Sequence, residues 1–269
     1  MLASLPLRAL VAGVVVTAAF ANQSDAADVL LVTANSTLTT QETQRKTQFE
    51  AWGHTVTTIE DGDTQTNFDT AMAAVDVVYV SEEVSATSVG YKLRLATVGV
   101  VSEERALDDE LGFSTANGVD WDGTTVTVTD NTHPITSSFS TGSLTIVSST
   151  QTLSYTSGTE ASGAQALISY SGAHDLAVLE VGAALANTYS SNSTAAGRRV
   201  RLPWGGDSFQ ASSLNSNGLL IAQNAIDWAS SGGATSGPSG MTVLLVIDDS
   251  SPDADEQDRI DQFESWGHT

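Results

Sequence analysis

Cysteine is absent from the 269-residue chain. That excludes disulfides, Cys-ligated zinc, iron–sulfur clusters and a cysteine nucleophile. Positive charge is scarce. Ten Lys and Arg stand against 32 Asp and Glu, a formal net charge of -22. Phosphate binding needs clustered Lys and Arg, so this balance argues against nucleic acid as a partner. It argues equally against an anionic membrane surface. Long apolar runs are missing too. Beyond the N-terminus no segment approaches the roughly 18 apolar residues of a membrane span, so no transmembrane segment is expected. What remains suits a folded protein. Hydrophobic residues make up 41% of the chain, with five Trp, enough for a packed core. The length allows one or two domains.

The N-terminus carries an address. Arg8 precedes a compact apolar run, Leu10 to Phe20, and Ala19-Phe20-Ala21 offers small residues for cleavage. Residues 1–27 read as a Sec-type signal peptide, with a run too short to span a bilayer comfortably. The expected location is therefore secreted: extracellular, cell surface or periplasm. An acidic surface with only two lysines, Lys46 and Lys92, suits an exported protein.

An internal repeat is the most informative feature. Val29-Leu30-Leu31-Val32 returns as Val243-Leu244-Leu245-Val246. Phe49-Glu50-Ala51-Trp52-Gly53-His54-Thr55 returns as Phe263-Glu264-Ser265-Trp266-Gly267-His268-Thr269. Positions 29–55 and 243–269 align without a gap and share 14 of 27 residues. Residues 230–240 between the copies form a Gly/Ser linker. The complete unit is thus 28–229, and 241–269 is the truncated start of a second copy. A lone strand and helix cannot bury their apolar faces. A longer tandem protein is therefore expected.

Within the unit, Asp28–Thr33 is a continuous apolar strand, as required when both faces are buried. Thr39 and Glu42 form a capping box. The helix that follows runs to Trp52, with Phe49 and Trp52 on its buried side, and Gly53 ends it. A strand at 54–59, a helix at 67–74 and a strand at 75–80 continue a βαβ rhythm. A short helix at 88–95 leads to a strand at 98–101, and 103–111 reads as helix or loop. Clean alternation at 124–129 and 144–147 marks antiparallel excursions with one wet face. Residues 164–170 and 175–181 read as a hairpin, 199–203 as a last strand and 215–229 as a closing amphipathic helix. The expected fold is α/β: a three-layer sandwich with a mainly parallel, flavodoxin-like sheet and antiparallel excursions.

Four segments in order resemble the class I glutamine amidotransferase-like fold, in its ThuA-like (trehalose-utilisation-like) branch. They are Val29–Val32 with the helix ending Phe49–Val56; Asp130-Asn131-Thr132-His133-Pro134-Ile135-Thr136; Ala196 to Gly206, containing Gly197-Arg198-Arg199-Val200; and Gly218 to Trp228. The resemblance spans 28–229 and implies an amidotransferase-like fold in a secreted setting, beside other extracellular domains. It does not carry the activity over. The family nucleophile is a cysteine on a strand-to-helix elbow, and no Gly-x-Ser-x-Gly elbow replaces it here. Where the branch often has histidine, this chain has Ser102-Glu103-Glu104 and Gly205-Gly206.

In an open parallel sheet, ligands gather at the carboxyl ends of the strands. That places Asn35, Glu82, Glu83, Glu103, Glu104, Trp204 and Asp207 near one edge. Paired carboxylates there can serve as acid and base, or form a solvated acidic loop. His174-Asp175 offers a base with an orienting group, and Ser81 or Ser102 a hydroxyl for it. Arg199 and Arg201 share one strand face, opposite Val200, for pairing with carboxylates or meeting an anionic polysaccharide. Asp61-Gly62-Asp63 and Asp120-Trp121-Asp122-Gly123 read as turns, since neither is an EF-hand loop. No cofactor and no metal site is expected. The resulting expectation is a non-catalytic secreted binding or display module, repeated in a larger surface protein, with carbohydrate or another extracellular ligand as partner. The alternative is an extracellular carbohydrate-active hydrolase using a carboxylate pair at the sheet edge.

Overall fold

The structure is a computed structural model that describes residues 26–206 and 208–232. Residues 1–25, Asp207 and 233–269 lie outside the described residues, and with them nearly all of the segment read as a signal peptide, most of the segment read as a linker and the whole stretch read as a second copy. The body begins at Ala27, which is buried and donates its N–H to His54 Nδ1 at 3.2 Å.

Strand β1 (Asp28–Thr33), helix α1 (Thr40–Ala51), β2 (Thr55–Glu60), α2 (Gln65–Met72), β3 (Val77–Val80), the short α3 (Ala86–Val89) and β4 (Gly99–Ser102) follow in the expected order. After them come β5 (Ser114–Gly123), β6 (Thr125–Val128), β7 (Gly142–Thr145), β8 (Gln151–Glu160), β9 (Ala164–Tyr170) and β10 (Ala173–Leu179). The chain closes with β11 (Ala184–Tyr189), β12 (Asn192–Thr194), β13 (Arg199–Arg201) and α4 (Ser216–Ser230). The main sheet has nine strands in the order β2-β1-β3-β4-β13-β10-β9-β6-β7. The first five are parallel and their 2-1-3-4-5 order is the flavodoxin-like one. The other four run antiparallel. This is the expected α/β sandwich with antiparallel excursions.

Both faces of β1, β3 and β4 are covered, which is why these strands are largely apolar. Val29 and Leu31 face a core that includes Phe49 of α1 and Ile221 and Ala225 of α4. Leu30 and Val32 face the other core, with Phe68 and Met72 of α2 and Leu93. Each helix start is fixed locally. Thr39 Oγ1 accepts the Glu42 N–H at 3.1 Å, and Glu42 Oε2 accepts the Thr39 N–H at 2.8 Å. Glu42 Oε1 also accepts the Ala34 N–H at 2.7 Å, tying α1 to the end of β1. Asn215 caps α4 through the Asn217 and Gly218 N–H groups.

Three local outcomes refine or correct the sequence reading. β7 ends at Thr145, and Val147 instead bridges to Leu214. Residues 103–111 hold one short 3₁₀ turn, Arg105–Leu107. A long antiparallel pair, β5 with β8, went unread, as did the β11–β12 hairpin. The loop after β13 is joined to β8 by a bridge between Leu153 and Trp204.

Candidate functional site

Strands β3 and β4 lie side by side, with Val80 opposite Ser102. The residues that follow, Glu82 and Glu103, therefore leave the sheet together at its carboxyl edge. Helix α1 crosses above and lowers Arg45 between them. Arg45 Nε donates to Glu103 Oε2 at 2.5 Å, and Arg45 Nη2 donates to Glu82 Oε2. All three side chains are almost wholly shielded from solvent. Tyr79 Oη donates to Glu103 Oε1 at 2.6 Å, and Trp204 Nε1 donates to the same oxygen at 2.9 Å. The Glu82 N–H reaches Glu103 Oε2 at 3.4 Å. Glu103 thus takes two donors on each oxygen, which fills a carboxylate's acceptor capacity.

Burial sets the protonation of this cluster. It pushes the Glu82 carboxyl up to about 9, against the pull of Arg45 and with a further push from Glu103. Arg45 is itself disfavoured as a cation by burial. Glu103 and Glu82 nonetheless hold its guanidinium above the ordinary range. Burial, and then Glu103, raise Tyr79 well above an ordinary phenol. At neutral pH Glu82 is thus the neutral member of the cluster, beside a positive Arg45.

A cavity of about 460 Å³ lies beside this cluster, between α1 and α4. Arg45, Tyr79 and Glu103 border it from the sheet side, Phe49 and Trp52 from α1, and Leu219 and Ala222 from α4. Its volume falls in the range of small-molecule sites. Arg45 Nη1 is buried and has no hydrogen-bond partner.

The remaining sequence candidates take other places. Asn35 is exposed at the end of β1, where its carbonyl accepts the Thr33 hydroxyl. The half-buried Glu83 follows Glu82, and its N–H donates to Ser81 Oγ. Glu104 caps the 3₁₀ turn by accepting the Ala106 N–H at 2.6 Å. His174 is held by β8: its Nε2 lies 3.0 Å from Glu160 Oε2, and its N–H donates to Thr156 Oγ1. The Asp175 carboxylate is hydrogen-bonded neither to His174 nor to any other group, so it does not orient that ring. The structure therefore joins Glu82, Glu103 and Trp204 and leaves Asn35, Glu83, Glu104 and His174 outside the cluster. Two members were missed by sequence reasoning, Arg45 and Tyr79. Arg45 carried a signal: Glu42, Arg45 and Phe49 recur at helical spacing on the buried side of α1.

Arg199 and Arg201 do share a face, but both are buried. That overturns the anionic-polysaccharide reading, which needs them in solvent. Arg201 Nε contacts both Asp108 oxygens at 2.9 Å, and its Nη1 donates to the carbonyls of Ser154 and Asp175. Arg199 donates to the carbonyls of Leu111 and Arg94. Trp121 stacks on Tyr170 with centroids 4.1 Å apart, and its ring lies close to Gly123, so one ring face is taken by Tyr170. Among the described residues no group of three or more His, Asp and Glu could hold a metal ion. No helix among them is long and apolar enough to cross a membrane.

No protein-family model matches the chain, and no curated protein matches it. Among solved structures it is similar to a protein from Thermoplasma acidophilum provisionally assigned as a GMP synthase component. The TM-score is 0.43 at 10% identity, over 77% of this chain and 96% of that one. A likeness of this degree says nothing of activity.

Proposed function

We propose that the chain is an exported, non-catalytic ligand-binding module, used in tandem copies and associated with extracellular carbohydrate. The observation that carries this reading is the saturation of Glu103. A carboxylate acting as base or nucleophile needs an open lone pair within reach of substrate. Both oxygens of Glu103 are occupied by protein donors, and Glu82 is covered by Arg45. The pair expected for a hydrolase is thus consumed in holding α1 to the sheet, and a cavity stands open beside it. The missing cysteine removes the amidotransferase nucleophile as well. The N-terminal run supports export, and the aligned second copy supports tandem use. That copy retains Glu42 as Glu256 and Arg45 as Arg259, alongside the apolar Phe49 and Trp52. Packing alone does not require a buried arginine.

The test is made on the whole chain, expressed in an exporting bacterial host. The expected result is a secreted product processed within residues 1–27. It shows saturable calorimetric binding to at least one soluble glycan and no turnover of aryl glycosides. Turnover that Glu103→Gln abolishes in a folded variant overturns the reading in favour of the carboxylate-pair hydrolase. Retention of Met1 in a cytosolic product overturns export.

A further inference from the structure

We infer that the cavity between α1 and α4 is a binding site for a neutral, ring-containing molecule that presents a carbonyl or hydroxyl oxygen to Arg45 Nη1. This rests on the reading of the chain as a binder. Two independent observations meet here. The first is the cavity itself, about 460 Å³ and bordered by Phe49, Trp52, Leu219 and Ala222. Such apolar walls hold a ring by burial and stacking. The second is the arginine. Its planar fork is spent on one edge, Nε on Glu103 and Nη2 on Glu82, so Nη1 is directed away from both carboxyls. It is a buried donor without a partner on a residue that borders the cavity. A buried donor left unpaired is costly, so an acceptor brought to it is favoured. The ligand's charge follows from its neighbours. Arg45 is already matched by its own glutamates, and Glu103 also borders the cavity. A ligand carboxylate would be set beside the Glu103 carboxyl and compete with it for Arg45, which a neutral oxygen avoids.

The experiment uses the whole chain and two probes of one shape, 2-naphthamide and 2-naphthoate, at pH 7. The expected result is saturable calorimetric binding of the amide, with the anion weaker by about tenfold or more. In protein labelled with ¹⁵N-arginine, the amide shifts the Arg45 guanidinium resonances. Ala222→Leu fills the cavity without touching the glutamates, so it removes amide binding while the fold is kept. Arg45→Lys keeps a cation for Glu103 but has no separate nitrogen directed away from the glutamates, and is expected to lose the preference for the amide. Three results overturn the proposal: no saturation by the amide up to about millimolar concentration, naphthoate binding as tightly, or affinity unchanged in Ala222→Leu. The binding-module reading is decided separately by the glycan titration, so it can survive failure of this ligand class.

Discussion

Arg45 holds one positive charge against two carboxyl groups, and the two are not equivalent. Burial keeps the proton on Glu82 up to about pH 9. Glu103 receives the four donors that stabilise a carboxylate. Their amides should therefore behave differently. Glu82→Gln replaces one neutral group by another of similar shape, and is expected to change stability by less than about 1 kcal/mol at pH 7. Glu103→Gln turns an NH₂ toward donors and leaves Arg45 uncompensated. It should cost about 3–5 kcal/mol, as should Arg45→Met, which strands Glu103. Urea unfolding at pH 7 measures all three. Equal losses for the two amides would mean that both glutamates are ionised in the folded state.

At the scale of elements, the cluster depends on where α1 begins and where the loop after β13 runs. The capping box fixes the first. Thr39→Ala removes an acceptor for the Glu42 N–H and should cost about 1 kcal/mol in unfolding free energy. Gly205 fixes the second. It has φ +99°, and a Cβ there would strike the Glu103 carbonyl. Gly205→Ala should cost more than about 2 kcal/mol and loosen Trp204, visible as a shift in its fluorescence. The parallel half was legible in the sequence because β1, β3 and β4 are apolar runs and each helix opens on a cap. The β5–β8 pair was not. Its residues 120–123 read as a turn, glycines stand at 118 and 123, and its register shifts twice. The tertiary structure explains one of these glycines: a Cβ at Gly118 would meet Arg201 and Asp108. Long-range packing of that kind leaves no local periodicity. The site was half legible for the same reason. Glu82, Glu103 and Trp204 follow strand ends, which the βαβ pattern locates. Tyr79 lies in an apolar strand and resembled core, and Arg45 was passed over for the aromatic residues on the same helix face.

Across the whole molecule, an acidic chain has folded several of its carboxyls out of water. Burial raises Asp108 to about 6 despite Arg201, Asp175 to about 7 and Glu110 to about 7, the last helped by the hydrogen bond its protonated form donates to Asp109. Asp175 is the barest of them, with both oxygens buried and unpartnered. The linkage has one sign for all three groups. Each folded-state value lies above the unfolded one, so the folded state binds more protons between the two. Their contribution is fully present below about pH 4 and is lost as pH rises through about 6 to 7. The molecule should therefore melt at a lower temperature at pH 8 than at pH 5. Repulsion among surface acids would act in the same direction, since the formal net charge is -22. Two comparisons separate the causes. Salt near 1 M screens surface charges over about 3 Å but leaves a buried carboxyl largely unscreened, so part of the pH slope should survive it. Asp175→Asn removes one buried titration while keeping the shape of the side chain. It should reduce the difference in unfolding free energy between pH 5 and pH 8 by about 1–3 kcal/mol, at low and high salt alike. A slope that salt erases, and that Asp175→Asn leaves unchanged, would place the pH dependence on the surface rather than beneath β5 and β8.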